Sequence, residues 1–318
     1  MKIIAAFFRL VRWPNLVFII TTQLLFYYCV YIPLLALPPH LNIQNFYFLL
    51  IFASVFIAAA GYIINDYFDI QIDAINKPHK MVVNKIIKRR WAIVWHLLLS
   101  TFGIVFSFFI SYKIKVWPIF IVNILCVVAL WFYSTHFKKQ LLIGNLLVAA
   151  LTAWVVLVVY LFAGADILSL KTFEINNEHV NVRKLFKFTL LYAGFAFVTT
   201  LIREVIKDLE DMEGDRKYEC KTMPIVWGVP ASKVFVAVWI VVSIATLLGI
   251  LLYAWQSGWW FVALYIMFLI VIPFTFMLRK LFKASTVSDY HFLSNLIKII
   301  MLAGILSMLI LKYSAYFI

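Results

Sequence analysis

Acidic side chains are scarce in this sequence, with 14 aspartates and glutamates against 28 lysines and arginines in 318 residues. Charged residues make up only 13% and hydrophobic ones 65%, so the chain lacks the polar surface of a water-soluble globule, whose apolar share is usually about 45–50%. Cysteine is nearly absent as well. Cys29, Cys126 and Cys220 show no paired spacing, which leaves no support for a disulfide framework or a cysteine-built zinc site. The six histidines are equally dispersed.

Long apolar runs fill the space. A helix that crosses a bilayer takes roughly 20 such residues, and nine stretches qualify, near 14–36, 46–65, 91–111, 116–135, 141–163, 184–206, 231–254, 258–278 and 291–317. They predict an all-α, polytopic membrane protein with nine transmembrane helices in a bundle around a central cavity, residues 1–318 forming a single domain. The first stretch follows Lys2, Arg9 and Arg12, but it is longer than a signal-peptide core and has no convincing small-residue cleavage site, so it reads as a retained helix.

In a soluble protein the net charge of +14 would suggest nucleic acid. Here its distribution follows membrane topology, and no nucleic-acid partner is expected. With nine spans, 20 of the 28 basic residues fall on the side of the N-terminus, and about seven lie opposite. The positive-inside rule then places the N-terminus and the loops 66–90, 136–140, 207–230 and 279–290 in the cytoplasm. The expected location is the cell's inner (plasma) membrane, in contact with its lipid.

Ten of the 14 acids fall in two short segments at the cytoplasmic ends of the second and sixth spans. The first holds Asp66, Asp69 and Asp73; the second holds Glu204, Asp208, Glu210, Asp211, Glu213, Asp215 and Glu219. Charge at a membrane boundary points to function. Both segments carry Asp at relative positions 0, 3 and 7, which on a continuous helix span only about 60° and project three carboxylates from one face. The triplets lie 142 residues apart and look like an internal repeat. Three like charges on one face repel one another, and a divalent cation relieves that repulsion. Mg²⁺ prefers hard oxygen ligands and is typically held by one or two carboxylates plus substrate phosphates. Two facing clusters could hold Mg²⁺ around one diphosphate. A single cluster is ordinarily a solvated helix end; two with the same spacing argue for a site.

At this point the residues resemble a known family. Arg12-Trp13-Pro14-Asn15, Asn65-Asp66 through Asp73 followed by Asn76-Lys77-Pro78, Tyr133-Ser134 with Lys138-Lys139, Gly144-Asn145, Arg203 through Asp215, and Lys221-Thr222-Met223-Pro224 are together similar to the UbiA-type superfamily of intramembrane prenyltransferases over nearly the whole chain. Within it, the wording around both triplets looks most like digeranylgeranylglyceryl phosphate synthases. The resemblance implies a prenyltransferase moving a geranylgeranyl group from its diphosphate to the free hydroxyl of a lipid-soluble acceptor, geranylgeranylglyceryl phosphate. The family's usual Arg-Pro-rich stretch after the first motif is replaced by His79 to Lys85.

On that reading Asp66, Asp69, Asp208 and Asp211 are the catalytic residues and metal ligands, polarising the diphosphate through Mg²⁺. Asp73 and Asp215 are direct ligands or orient metal-bound water. Asn65, Arg203 and Lys207 can meet phosphate oxygens, and Lys138 with Lys139, a charge pair that topology alone would explain, are weaker candidates for the same role. Tyr133, Tyr67 and Phe68 are the rings nearest the polar site and could steady positive charge on the allylic carbon. For a phosphorylated acceptor, Lys77, Lys80, Lys85, Lys88, Arg89 and Arg90 supply basic charge. Three other readings compete. An aromatic quinone precursor of hydroxybenzoate or naphthoate type could be the acceptor. A transporter would place its charges near the membrane centre, where this sequence puts only Lys298. A CDP-alcohol phosphotransferase would open its motif with Asp-Gly-x-x-Ala-Arg, which neither triplet does.

Overall fold

A computed structural model describes residues 2–35, 41–79, 81–170 and 182–315. Lys80 and Lys171 lie outside the described residues, as do the last residues of the first and ninth expected spans. Among the described residues nine helices are long and apolar enough to cross a membrane, and they match the nine expected spans to within a few residues.

The chain opens with a short amphipathic helix, α1 (Lys2–Leu10), whose Ala6 and Leu10 are buried while Ile3, Ile4 and Phe8 face outward, the pattern of a helix lying in the membrane interface. The first span is α2 (Trp13–Leu34). The second, α3 (Leu41–Phe68), leads into a short α4 (Ile70–Asn76). Then come α5 (Arg89–Ile114), α6 (Trp117–Thr135) and α7 (Ile143–Leu170). The sixth span, α8 (Val182–Glu210), leads into a short α9 (Met212–Lys217). Last are α10 (Gly228–Gln256), α11 (Trp260–Lys283) and α12 (Val287–Ala315).

Two spans contain a π-helical turn, at Phe26–Tyr31 and Met267–Val271. Each lies just before a proline, Pro33 or Pro273. Proline gives up its N–H and crowds the carbonyl four residues back, and a widened turn accommodates both.

The motif-bearing spans sit at the centre of each half. Helix α3 packs on α2, α5 and α6, and α8 packs on α7, α10 and α12. Contacts of α2 with α7 and α12 close the ring. Small residues allow close approach where α3 meets its neighbours. A Cβ on Gly103 of α5 would come within 2.6 Å of Ile57 Cγ1 on α3. Helices α5, α10 and α11 stay outside the cavity, so the other six spans build its walls.

Candidate active site

The two aspartate segments do not run on as straight helices. Helix α3 ends at Phe68 and α8 at Glu210, and in each case the second aspartate of the triplet, Asp69 or Asp211, is the residue between two helices. Their backbones are nearly the same, φ −89° and ψ 1° for Asp69 and φ −96° and ψ 8° for Asp211. The expectation of three carboxylates on one continuous face is therefore corrected to a bend at the middle carboxylate, present in both halves. Backbone bonds between residues four apart still bridge it, from Asp73 N to Asp69 O at 2.8 Å and from Asp215 N to Asp211 O at 3.2 Å.

The bends bring the motifs together. Asn76, at the end of α4, donates from Nδ2 to Asp211 O at 2.9 Å and accepts at Oδ1 from Gly214 N at 2.9 Å. Beside it Lys77 forms an ion pair with the Asp211 carboxylate. A cavity of about 320 Å³ lies between the motifs. Asp69, Asp73, Asp208, Asp211 and Asp215 line it, as do Asn65, Tyr133, Lys138, Arg203 and Lys207. Asp66 does not line it. Its carboxylate instead takes a hydrogen bond from Arg12 Nη2 at 2.7 Å.

Most of the carboxylates already have a partner. Lys138 is paired with Asp69, and Asn145 Nδ2 donates to Asp208 Oδ2 at 2.7 Å. Arg203 Nη1 donates to Glu204 Oε1 at 2.6 Å, and Lys207 Nζ stands 3.9 Å from the other oxygen of Glu204. Arg12 holds a left-handed backbone, φ 51° and ψ 53°, unusual for a side chain with a Cβ. It lies over the Tyr62 ring, 5.2 Å from the centroid, so the turn between α1 and α2 serves to aim this guanidinium at Asp66.

The third aspartates feel the crowding. Burial, then the neighbouring Asp69 and Asp66 carboxylates, push Asp73 up to about 6. Burial, then Asp211 and Asp69, push Asp215 up to about 7. For Lys77 burial works the other way, but the adjacent Asp211 carboxylate outweighs it and holds the ammonium above its ordinary range. Excess negative charge is thus concentrated where the motifs meet, and the donors are all hard oxygens, a set that suits Mg²⁺. Among the described residues no three carboxylate, histidine or cysteine side chains gather closely enough to cage an ion alone.

Some sequence-derived candidates lie elsewhere. Tyr67 stacks beneath Arg89, and Phe68 packs edge-on against Trp131; neither lines the cavity, whereas Tyr62 and Tyr133 do. Lys139 does not line the cavity; its carbonyl accepts from Lys221 N at 2.8 Å. Of the basic loop, Lys77 lines the cavity and the described Lys85, Lys88, Arg89 and Arg90 do not. The motif residues Arg12, Asn76 and Asn145 carried no individual role in the sequence; their long-range partners give them one.

A model of the UbiA prenyltransferase family matches residues 24–296. The digeranylgeranylglyceryl phosphate synthase of Methanosphaera stadtmanae is 32% identical over 257 residues, covering 80% of this chain and 83% of that protein. A solved structure described as digeranylgeranylglyceryl phosphate synthase in membranes superposes with a TM-score of 0.62 at 23% identity, over 99% of this chain and 100% of that one. A UbiA homolog from Archaeoglobus fulgidus, solved with DMAPP and Mg²⁺, gives a TM-score of 0.53 at 16% identity, over 95% of this chain and 98% of that one. At these identities the two structures show a shared fold. The family match begins in the first span and ends in the ninth, so both halves of the bundle fall within it: the chain belongs to the UbiA prenyltransferase family, integral membrane enzymes that transfer prenyl groups.

Proposed function

We propose that this enzyme moves a geranylgeranyl group from its diphosphate to the free hydroxyl of geranylgeranylglyceryl phosphate, with Mg²⁺ as cofactor and residues 1–318 acting as one catalytic domain. The observation that carries the reading is the meeting of two aspartate motifs across one cavity, with Lys77 and Asn76 of the first holding Asp211 of the second. The named relative supports the acceptor, and the DMAPP- and Mg²⁺-bound homolog supports the donor class and the metal. Asp69, Asp208 and Asp211 would hold the metal from the cavity wall; Asp66 would do so from just outside it, once released by Arg12. When bound, Mg²⁺ supplies Lewis-acid stabilisation of the negative charge that develops on the leaving diphosphate.

The chain's own residues do the rest. Lys77 and Lys138 pair with the carboxylates of Asp211 and Asp69. When a diphosphate arrives, the same cations can turn to its oxygens and free the carboxylates for metal, so the site exchanges partners without leaving a buried charge bare. Tyr133 and Tyr62 border the same space and present rings to the allylic carbon as its bond to diphosphate breaks. The acceptor oxygen forms the new ether bond, and inorganic diphosphate and the hydroxyl proton are the other products. The 20-to-seven asymmetry of basic residues supports a cytoplasmic N-terminus and a site opening on the cytoplasmic face of the plasma membrane.

The test is an acceptor screen with purified enzyme in detergent and labelled geranylgeranyl diphosphate. Label should pass to geranylgeranylglyceryl phosphate with Mg²⁺ and stop with EDTA, and Asp208→Ala should remove turnover. Transfer to a hydroxybenzoate or naphthoate with none to glycerol phosphate ethers would overturn the acceptor.

A further inference from the structure

The cavity is deeper on one side than on the other. On α8 its lining ends at Thr200, eight residues in from Asp208, whereas on α3 it follows one face from Asp69 past Gly61 and Ala58 to Ser54. On α6 it reaches Asn123 and on α7 Trp154. Ser54 is fifteen residues from Asp69, and Trp154 is nine from Asn145, the residue that holds Asp208. At about 1.5 Å per helical residue, this lane descends about 14–22 Å below the aspartates, well into the bilayer. Along the way its walls are largely apolar, with Ile57, Leu130 and Leu151 among them.

The floor of the lane is polar and tied together. Trp154 Nε1 donates to Asn123 Oδ1 at 2.9 Å, Asn123 Nδ2 to Ser107 Oγ at 2.7 Å, and Ser107 Oγ to Gly103 O at 2.8 Å. Beside this chain Gln23 Nε2 donates to Ser54 Oγ at 2.9 Å and to Val155 O at 3.2 Å. These bonds join α2, α3, α5, α6 and α7 at one level of the membrane, where a polar group parted from its partner is costly. Beneath them lies a packed aromatic core. The Tyr47 hydroxyl donates to Gln23 O, and the Tyr47 ring stacks on Tyr27 with centroids 3.9 Å apart and meets Phe162 edge-on. Trp154 packs against this cluster as well as lining the cavity, so its indole separates the open lane from the closed core.

We infer that Trp154, held by Asn123, is the stop against which the enzyme measures the donor's prenyl chain, and that the lane takes four isoprene units and not five. The inference rests on the function proposed above and assigns the residues that select its donor. The diphosphate lies between the motifs, and α3 runs unbroken from the first motif to Ser54, so the chain attached to that diphosphate is the one led into the lane. Carbon–carbon bonds of about 1.5 Å advance an extended chain by about 1.25 Å each, which makes a farnesyl chain about 14 Å long, a geranylgeranyl chain about 19 Å and a geranylfarnesyl chain about 24 Å. The second fits within the depth of the lane and the third exceeds it. A fifth unit would have to displace a tethered indole backed by a close-packed core, which yields little.

The experiment measures binding of farnesyl, geranylgeranyl and geranylfarnesyl thiodiphosphates with Mg²⁺ to wild type, Trp154→Ala and Ala58→Phe, and kcat/KM for the three diphosphates on one acceptor. Wild type should favour geranylgeranyl over geranylfarnesyl at least tenfold, and Trp154→Ala should bring the two within about threefold. Ala58 lines the lane one turn above Ser54, so Ala58→Phe shortens it by about 6 Å and should favour farnesyl over geranylgeranyl at least threefold. If Trp154→Ala does not assemble, Ala58→Phe decides. Acceptors with farnesyl and geranylgeranyl tails, run in parallel, should keep their ratio within about twofold in every variant. Wild type that takes all three donors equally, as it would if the tail left sideways between helices, overturns the inference. So does a variant that weakens all donors by one factor, or one that shifts the acceptor series and not the donor series. Wild type that prenylates no glycerol phosphate ether removes the proposed acceptor and leaves the donor measurement standing; wild type that binds no prenyl thiodiphosphate removes the function itself, and the inference with it.

Discussion

The tether between the two motifs can be broken from either side, and the two ways should not add. Gly214 has a helical backbone, so alanine is conformationally acceptable there and would favour α9 by about 0.5–1 kcal/mol. Its Cβ, however, would lie 2.5 Å from Asn76 Oδ1 and 2.6 Å from Cγ and Nδ2. The amide can escape only by giving up both its bonds, to Gly214 N and Asp211 O. At about 1 kcal/mol net for each, the loss is about 2 kcal/mol of motif positioning, or about 30-fold in rate if it is felt in full at the transition state. Gly214→Ala should therefore slow Mg²⁺-dependent prenyl transfer by about 10- to 30-fold while the protein stays folded. Asn76→Ala should cost a similar factor. In the double variant the space left by the amide receives the new methyl, so the combined loss should be no greater than that of Asn76→Ala alone. Initial rates of the four proteins at saturating acceptor decide the matter. A double variant that loses the product of the two single factors, or a Gly214→Ala enzyme at the parental rate, would show that this contact does not position the motifs.

Acidification should weaken the metal requirement's apparent affinity. Asp73 and Asp215, raised to about 6 and about 7, take up protons as the pH falls through that range. Protons and Mg²⁺ compete for the same charge cluster, so the half-saturating Mg²⁺ concentration should rise between pH 8 and pH 5.5, by up to about tenfold per pH unit for each proton displaced; a flat profile would refute this. Gly103→Val should destabilise the contact of α3 and α5, because its Cβ alone meets Ile57 at 2.6 Å. Overpacking of this kind costs about 1–3 kcal/mol, read as a lower Tm in detergent, and Ile57→Ala in the same chain should recover part of it.

The spans were legible because the bilayer imposes one simple requirement, a run of apolar residues long enough to cross, and this chain meets it nine times. The candidate aspartate site was legible because acid is so scarce that two matched triplets stand out. The bend at Asp69 and Asp211 was not, since an i, i+3, i+7 pattern reads the same on a straight helix and on one broken at its middle residue.

Nor could the sequence pair cations with carboxylates. Lys77 finds Asp211 134 residues away, and Lys138 finds Asp69 across 69; both partnerships are set by how the halves of the bundle close. The same limit hid the division of labour among the basic residues. The loop from Lys77 to Arg90 offered the densest positive charge, yet only Lys77 of its described basic residues lines the cavity. Lys298, a single residue in an apolar run, lines it too. A site that handles anionic lipids at a membrane boundary needs its carboxylates neutralised before substrate arrives and its cations available afterwards. Lysine and arginine serve both needs, so residue type alone cannot say which cation guards a carboxylate and which waits for a phosphate. Position in the bundle can: Lys77 and Lys138 are paired with Asp211 and Asp69, whereas Arg203 and Lys207 share the single carboxylate of Glu204.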